Sequence, residues 1–379
     1  DGKLGQLIDL ISEIGFTEKE TASDLLGEVY EYFLGQFASA EGKKGGQFYT
    51  PGNIVKTLVN VLSPFQGRIY DPCCGSGGMF VQSEEFLKSH GGKIDDVSIY
   101  GQESNPTTWR LAAMNLAIRG FSVDLGKSHA NSFSNDQFSD LKFDYILANP
   151  PFNDSDWDGE KFENDVRWHY GRPPASNANY AWLQHIIWKL KHGGQAGVIL
   201  ANGSMSSNSS NEGTIRRNMI LGDVVEAMVS LPGQLFLNTP ISCCLWFLTT
   251  DKTNNGRDRR KETLFIDARN LGTMITRSLK ILTDEDIKKI QQTILNWKKG
   301  SGYKDISGFC KTAKIKEIEK NSFSLTPGRY VGFEDEIEDN EPLKDKIVKF
   351  SEDLQLISKN SELLDKEIFK NLKKIISND

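Results

Sequence analysis

The tetrapeptide Asn149-Pro150-Pro151-Phe152 follows directly on the apolar run Phe143-Asp144-Tyr145-Ile146-Leu147-Ala148. Two consecutive prolines at a strand exit have fixed φ angles and no N–H, so the turn is stiff and its carbonyls stay free. The side-chain oxygen of Asn149 and the carbonyl of Pro150 can then both accept hydrogen bonds from one NH2 group. Holding both protons turns the nitrogen lone pair out of conjugation and toward an electrophile, which is the chemistry of methyl transfer to an exocyclic amine. No general base is needed before attack, because the amine proton becomes acidic only once methylated. Adenine is the leading substrate, and Phe152 offers an aromatic face to a base lifted from a duplex. Taken alone, the tetrapeptide also fits a strand exit whose Asn caps the next element and whose Phe is ordinary core.

Seventy-odd residues upstream, Gly67-Arg68-Ile69-Tyr70 leads into Asp71-Pro72-Cys73-Cys74-Gly75-Ser76-Gly77-Gly78 and then Met79-Phe80-Val81-Gln82. This reads as strand, tight turn and helix, with glycines that let the backbone approach a ligand and helix N–H groups that face it. The glycines do not follow the Gly-x-Gly-x-x-Gly dinucleotide spacing, which favours a cofactor without a pyrophosphate. Asp71 suits a cationic amino group or an ordered water beside it. A second strand, Val97–Gly101, ends in Gln102-Glu103, where a Rossmann-like sheet places its ribose carboxylate. Glu103 is the ribose candidate, against the alternative of a solvated strand-end acid. Gln47-Phe48-Tyr49-Thr50-Pro51 starts a helix, with Thr50 as N-cap and Pro51 in the first turn. Its aromatics either cover the cofactor or form a hydrophobic staple.

Strand candidates alternate with helices to hold these turns: Arg68–Tyr70, Ser98–Tyr100, Phe143–Ala148, Gln195–Leu200, Val224–Ser230, Ser242–Leu248 and Leu264–Asp267. That alternation predicts an α/β fold with a mostly parallel sheet covered on both faces. Residues 4–40 read as two amphipathic helices, the end of an N-terminal helical domain over 1–45. The catalytic domain spans 46–332. Beyond it, Leu343, Ile347, Phe350, Leu354, Ile357, Leu364, Ile368 and Ile375 form a heptad seam on a long helix over 333–379. This helix either packs on its own domain or docks a partner. Gly203–Gly213 reads as a polar, mobile loop, a candidate lid or DNA-facing loop or an inert surface loop. Asn153–Ala178 lies beside the base pocket and shapes its rim.

The 379 residues carry a formal charge of −6 and no basic stripe. Phosphate contacts dominate the affinity of a protein that grips duplex DNA alone, so either the substrate is not DNA or another chain supplies most of the grip. The group Arg257, Arg259, Arg260, Lys261 reads as a solvated loop. The cysteines fall as Cys73-Cys74, Cys243-Cys244 and Cys310, without metal-ligand spacing, and the five histidines make no cluster; no metal is expected. Reduced, cytosolic thiols are the favoured reading. No stretch reads as a membrane span.

Phe48-Tyr49-Thr50-Pro51, the Asp71–Gly78 turn and Asn149-Pro150-Pro151-Phe152, in that order, resemble S-adenosylmethionine-dependent N6-adenine DNA methyltransferases of the gamma motif order. With Asp165–Trp182 and Leu231-Pro232-Gly233-Gln234-Leu235-Phe236, the chain is similar more narrowly to the modification subunits of type I restriction–modification systems, from about residue 20 to 332. The resemblance implies a Rossmann-like methyltransferase sheet and a cytoplasmic protein. It implies that Phe48, Tyr49, Thr50, Pro51, Asp71, Gly75, Ser76, Gly77, Glu103 and Asn149 hold S-adenosylmethionine, and that Asn149, Pro150, Pro151 and Phe152 receive the flipped adenine. Many relatives carry an acid where this chain has Asn131, so Asn131 would have to contact the cofactor's adenine. The implied partners are double-stranded DNA, a DNA specificity subunit, a second modification subunit and a restriction subunit. Two alternatives stand beside it: a protein glutamine N-methyltransferase, since Asn-Pro-Pro also suits that amide, and a non-catalytic cofactor-sensing scaffold. A nicotinamide-dependent dehydrogenase is weakest, given the glycine spacing.

Overall fold

The computed structural model of the chain describes residues 50–236, 242–254 and 256–333, together with 351, 354, 355, 358, 359, 361 and 364. The chain divides into two compact units between Phe333 and Glu334. The helical readings over 4–40, the cofactor candidates Phe48 and Tyr49, and most of the C-terminal seam lie outside the described residues. In the second unit the described positions are helical, with Leu354 and Leu364 exposed.

The first unit is built on nine strands: β1 (Gly67–Asp71), β2 (Val97–Gly101), β3 (Val123–Asp124), β4 (Phe143–Ala148), β5 (Leu190–Ala201), β6 (Val225–Ser230), β7 (Cys243–Thr249), β8 (Glu262–Asp267) and β11 (Cys310–Lys314). They lie in the order β11-β8-β6-β7-β5-β4-β1-β2-β3. All neighbours pair in parallel except β7, which runs against β5 and β6, and β11, which runs against β8. The expected mostly parallel sheet is therefore present, extended by two antiparallel strands. A two-stranded ribbon, β9 (Thr273–Met274) with β10 (Lys280–Ile281), stands apart from it.

Side chains alternate along each strand, so one face carries Ile69, Leu147, Ile199 and Phe247 and the other Tyr70, Ile146, Val198 and Trp246. The first face is covered by α1 (Gly52–Leu62), α2 (Gly78–Ser89), α3 (Pro106–Ile118) and α6 (Asp284–Lys299). The second is covered by α4 (Asn179–Lys189), α5 (Glu212–Leu221) and α7 (Ile315–Lys320). Helix α6 shows how local sequence sets such an element. Thr283 and Asp286 form a capping box, acids fill its first turn and lysines its last, and Gly300 ends it in a left-handed conformation. Its buried residues Ile287, Ile290, Ile294 and Trp297 recur at helical spacing.

Three sequence expectations are corrected. Thr50 does not cap α1: Pro51 is the residue before the helix, and its carbonyl accepts from the Ile54 and Val55 amides. The stretch 203–213 is not an open loop. Two short 3-10 turns fill it, and the buried Arg216 pins it through the Ser207 carbonyl and Asn208 Oδ1. Arg259 is not in a solvated group. It is buried against Glu226, which also pairs with Lys298 at 2.8 Å. Against burial, which acts the other way, Lys298 and Arg259 hold the Glu226 carboxyl below the usual range.

Candidate active site

The chain leaves β1 for β2 on one side and later enters β4 on the other, so the carboxyl ends of β1 and β4 flank a topological switch point. Open α/β sheets bind ligands there, because the loops diverge and leave a crevice. Asp71 ends β1, Gln102-Glu103 follow β2, and Asn149 follows β4, so all three chemistry-bearing turns open onto one edge.

The glycine turn is held from both sides. Gly75 (φ 54) and Gly77 (φ 86) adopt left-handed conformations that favour glycine, and Gly77 stands immediately before α2. The Cys73 amide donates to Asp71 Oδ1 at 2.9 Å, and the Gly75 amide donates to Glu103 Oε2 at 3.1 Å. Glu103 Oε1 accepts from the Asn105 amide at 2.7 Å, so this carboxylate braces the turn as well as facing the crevice. Both acids are buried. Burial pushes the Asp71 carboxyl up to about 7, with the Glu103 charge adding to it, and burial raises Glu103 too.

Two cavities meet at this edge. The narrower, of 40 Å³, is lined by Thr50, Gly52, Asp71, Gly75, Ser76, Gly78, Asn115 and Asn149 among others. A Cβ built on Gly52 or on Gly78 would meet no atom within 4 Å. The backbone at both positions thus borders open space that a ligand can fill. The wider, of 260 Å³, is lined by Gly75, Glu103, Asn131, Phe133, Asn149, Pro151 and a wall containing Asp154, Asp156, Trp157 and Trp182. Cys73, Gly75 and Asn149 belong to both.

Asn149 is the residue of this site whose orientation is fixed most clearly. Its Nδ2 donates to Thr50 Oγ1 at 2.8 Å, while its Oδ1 is buried and has no partner. An unpaired buried acceptor costs about 1–3 kcal/mol, so an orphaned carboxamide oxygen at the wall of two cavities marks a place for a donor. The Pro150 carbonyl likewise accepts no backbone hydrogen bond among the described residues. Phe152 is half-buried and meets Phe236 edge-to-face at 6.0 Å; neither it nor Pro150 lines the two cavities. Gly77 and Pro51 line neither and act through the backbone around them.

Asn131 lines the wider cavity, but its Oδ1 already accepts from the Phe133 amide at 2.8 Å and the Ser134 amide at 3.3 Å. Only its NH2 group remains for a ligand, a donor where an acid would accept.

Two contributors were not among the site candidates, although Arg167 falls in the rim stretch that carried the resemblance. Asn115, on the apolar side of α3, is buried, donates to the Ser76 carbonyl at 2.9 Å and leaves its Oδ1 unpaired beside the narrower cavity. A buried amide beside Ala112 and Leu116 on the helix face is the signal that betrays it. Arg167, buried in the rim, donates to the carbonyls of Ser132 (3.0 Å) and Phe133 (2.7 Å) and pairs with Asp165. Phe133 in turn packs between Trp157 (5.1 Å) and Trp182 (4.4 Å), so Arg167 fixes one wall of the wider cavity. The His185 ring beside it is fully buried; burial, then Arg167, pushes its pKa well down and keeps it neutral.

Comparison with known proteins identifies the family. Residues 21–339 match the N-6 DNA Methylase family. The chain is 52% identical over 351 residues to the methylase subunit of the type I restriction enzyme HindI of Haemophilus influenzae, covering 93% of this chain and 78% of that protein. It is 42% identical over 366 residues to the MjaIX methylase subunit of Methanocaldococcus jannaschii, covering 94% of this chain but 64% of that protein. Among solved structures it is similar to the type I restriction–modification methyltransferase subunit of Streptococcus thermophilus. That match has a TM-score of 0.70 at 28% identity over 83% of this chain and 65% of the other.

Proposed function

The chain belongs to the N-6 DNA methylase family, in its type I restriction–modification branch, and from that premise we propose that its site methylates the N6 amine of an adenine flipped out of DNA. The observation that carries the proposal is the Asn149 carboxamide, anchored through its nitrogen by Thr50 with its oxygen unpaired between two cavities. A planar amine is the donor that such an acceptor fits.

The cofactor is S-adenosylmethionine, which supplies an electrophilic methyl group when bound. The residues present fit it: open space over Gly52 and Gly78, the Asp71 carboxyl, and the Asn115 oxygen line one cavity, and Glu103 and the Asn131 NH2 line the other. Asp71 would hold a cationic amino group and Glu103 the ribose hydroxyls. Phe48, Tyr49, Thr50, Pro51, Gly75, Ser76 and Gly77 complete that side.

On the substrate side, Asn149 Oδ1 and the Pro150 carbonyl accept the two amine protons and aim the nitrogen lone pair. Pro151 stiffens the turn, and Phe152 stacks on the purine with Phe236 behind it. Because Thr50 fixes the carboxamide, little reorganisation is needed as positive charge develops on the amine. The extra proton leaves after methylation through the same acceptors.

The wider assembly is part of the proposal. With a net charge of −6, the chain relies on a DNA specificity subunit for grip, docked by the segment 333–379, alongside a second modification subunit and, in the restriction complex, a nuclease subunit. It works in the cytoplasm; among the described residues no helix is long and apolar enough to cross a membrane. The test is methyl transfer by the reconstituted complex with Asn149→Ala. Loss of transfer to duplex adenine with cofactor binding retained supports the reading, and undiminished turnover sinks the catalytic assignment.

A further inference from the structure

The β9–β10 ribbon (Thr273–Met274 with Lys280–Ile281) has no place in the mechanism above, yet it is well built. Its register pairs Lys280 with Met274 and Ile281 with Thr273. Thr276 closes the tip: its Oγ1 accepts from the Ser278 and Leu279 amides, and the Ile275 amide donates to the Leu279 carbonyl at 2.9 Å. At its base, Gly272 (φ 86) packs where a Cβ would lie 2.9 Å from the Ile281 carbonyl, and its amide donates to Asp286. The ribbon is thus hydrogen-bonded at tip and base while presenting an apolar tip: Met274 is 43% and Ile275 53% exposed.

Its position ties it to the target-base side of the site. It emerges from the loop after β8, whose carboxyl end lies on the same edge as that of β6. The Lys280 amide donates to the Gln234 carbonyl at 2.8 Å, and two residues further on Phe236 packs against Phe152. Exposed cations stand here among acids. Arg277 at the tip is exposed and has no ionic partner among the described residues, and the exposed Arg329 follows Gly328, which lies against the Arg269 guanidinium. Of the nearby acids, Asp267 pairs with Arg269, Asp284 with Lys56, and Asp286 is held by the α6 cap and the ribbon's base, while Glu285 is exposed.

We propose that the β9–β10 ribbon is a duplex-contacting finger: Arg277 pairs with a backbone phosphate flanking the target adenine while Ile275 and Met274 enter a groove beside it. A two-stranded ribbon fits the major groove, and apolar side chains beside a cation serve to wedge a base step that must open. The inference rests on the proposed DNA substrate.

The test uses the full chain assembled with its specificity partner and a duplex carrying the methylated site. DNA affinity is measured from 50 to 200 mM salt for wild type, Arg277→Ala and the double variant Met274→Ser, Ile275→Ser. Loss of one phosphate contact lowers the slope of log affinity against log salt by about one. Arg277→Ala is therefore expected to show that drop, and the apolar double variant a loss of about tenfold in affinity at unchanged slope. Cofactor affinity and subunit assembly stay at wild-type levels. Affinity within twofold of wild type in both variants overturns the proposal. So does loss of assembly, which would make the ribbon a surface for another protein. A wild-type complex showing ribbon-dependent DNA binding but no methyl transfer would leave the finger standing and overturn the proposed function instead.

Discussion

Thr50 and Asn149 stand 99 residues apart in the chain and meet at 2.8 Å, the hydroxyl oxygen accepting from the carboxamide nitrogen. That contact decides which end of the amide is left over, and it is the oxygen. The Thr50 hydroxyl makes no cap hydrogen bond to α1, which begins at Gly52 after Pro51, and serves Asn149 instead.

Thr50→Val keeps the shape and removes the acceptor. A net hydrogen bond is worth about 0.5–1.5 kcal/mol, so kcat for DNA methylation is expected to fall about three- to tenfold as the carboxamide rotates freely. Thr50→Ser should restore it. Steady-state kinetics of the three proteins, with thermal melts to verify folding, checks this.

Gly78 opens α2 with empty space where its Cβ would be. Gly78→Ala is expected to stabilise the cofactor-free protein by up to about 1 kcal/mol, because alanine is the better helix former. The same methyl intrudes on the narrower cavity, so the cofactor KM rises. Melting temperature and KM moving in these opposite senses distinguish a ligand cradle from an ordinary turn.

Much of the framework was readable because apolar runs such as Cys243–Leu248 are buried on both faces and so stay apolar throughout, and Phe143–Ala148 departs from this only at Asp144. The two-residue β3 carries too few side chains to show a pattern. Strand β11, Cys-Lys-Thr-Ala-Lys, is mostly polar because it is an edge strand with one solvated face. Direction is also invisible in an apolar run, so nothing marked β7 as antiparallel. In the site, the residue types of Asp71, Glu103 and Asn149 announce themselves. Asn115 and Arg167 do not, because their partners are backbone carbonyls distant in sequence, Ser76 for one and Ser132 and Phe133 for the other. Arg259 sat in a basic run, and only the fold reveals Glu226 beside it.

The Asp71 carboxyl, raised from 3.8 to about 7 by burial, makes stability pH-dependent. The folded state prefers its protonated form. The penalty is absent below the unfolded value of 3.8, grows as pH rises, and is complete above about 7, reaching at most about 4 kcal/mol. Asp71→Asn is therefore expected to raise the melting temperature at pH 8 and to change it little at pH 4. It should also weaken cofactor binding at pH 8, where wild-type Asp71 is charged. Wild-type affinity itself should fall by up to about tenfold per unit as pH drops below 7. Melts and calorimetric titrations across pH 4–8 check both signs.

Deleting Leu343–Asp379 removes most of the second compact unit and the predicted heptad seam. The first unit carries both cavities, so cofactor affinity should persist in the shortened chain while co-purification with the specificity subunit is lost.

The most direct test is the single-turnover rate of methyl transfer from labelled S-adenosylmethionine to a duplex adenine by the Asn149→Ala complex. A preorganised acceptor in an active site is commonly worth about 10²–10³ in rate, so a loss of that size is expected, with cofactor affinity within about threefold of wild type. A rate within threefold of wild type would mean that the unpaired oxygen of Asn149 does not hold the target amine.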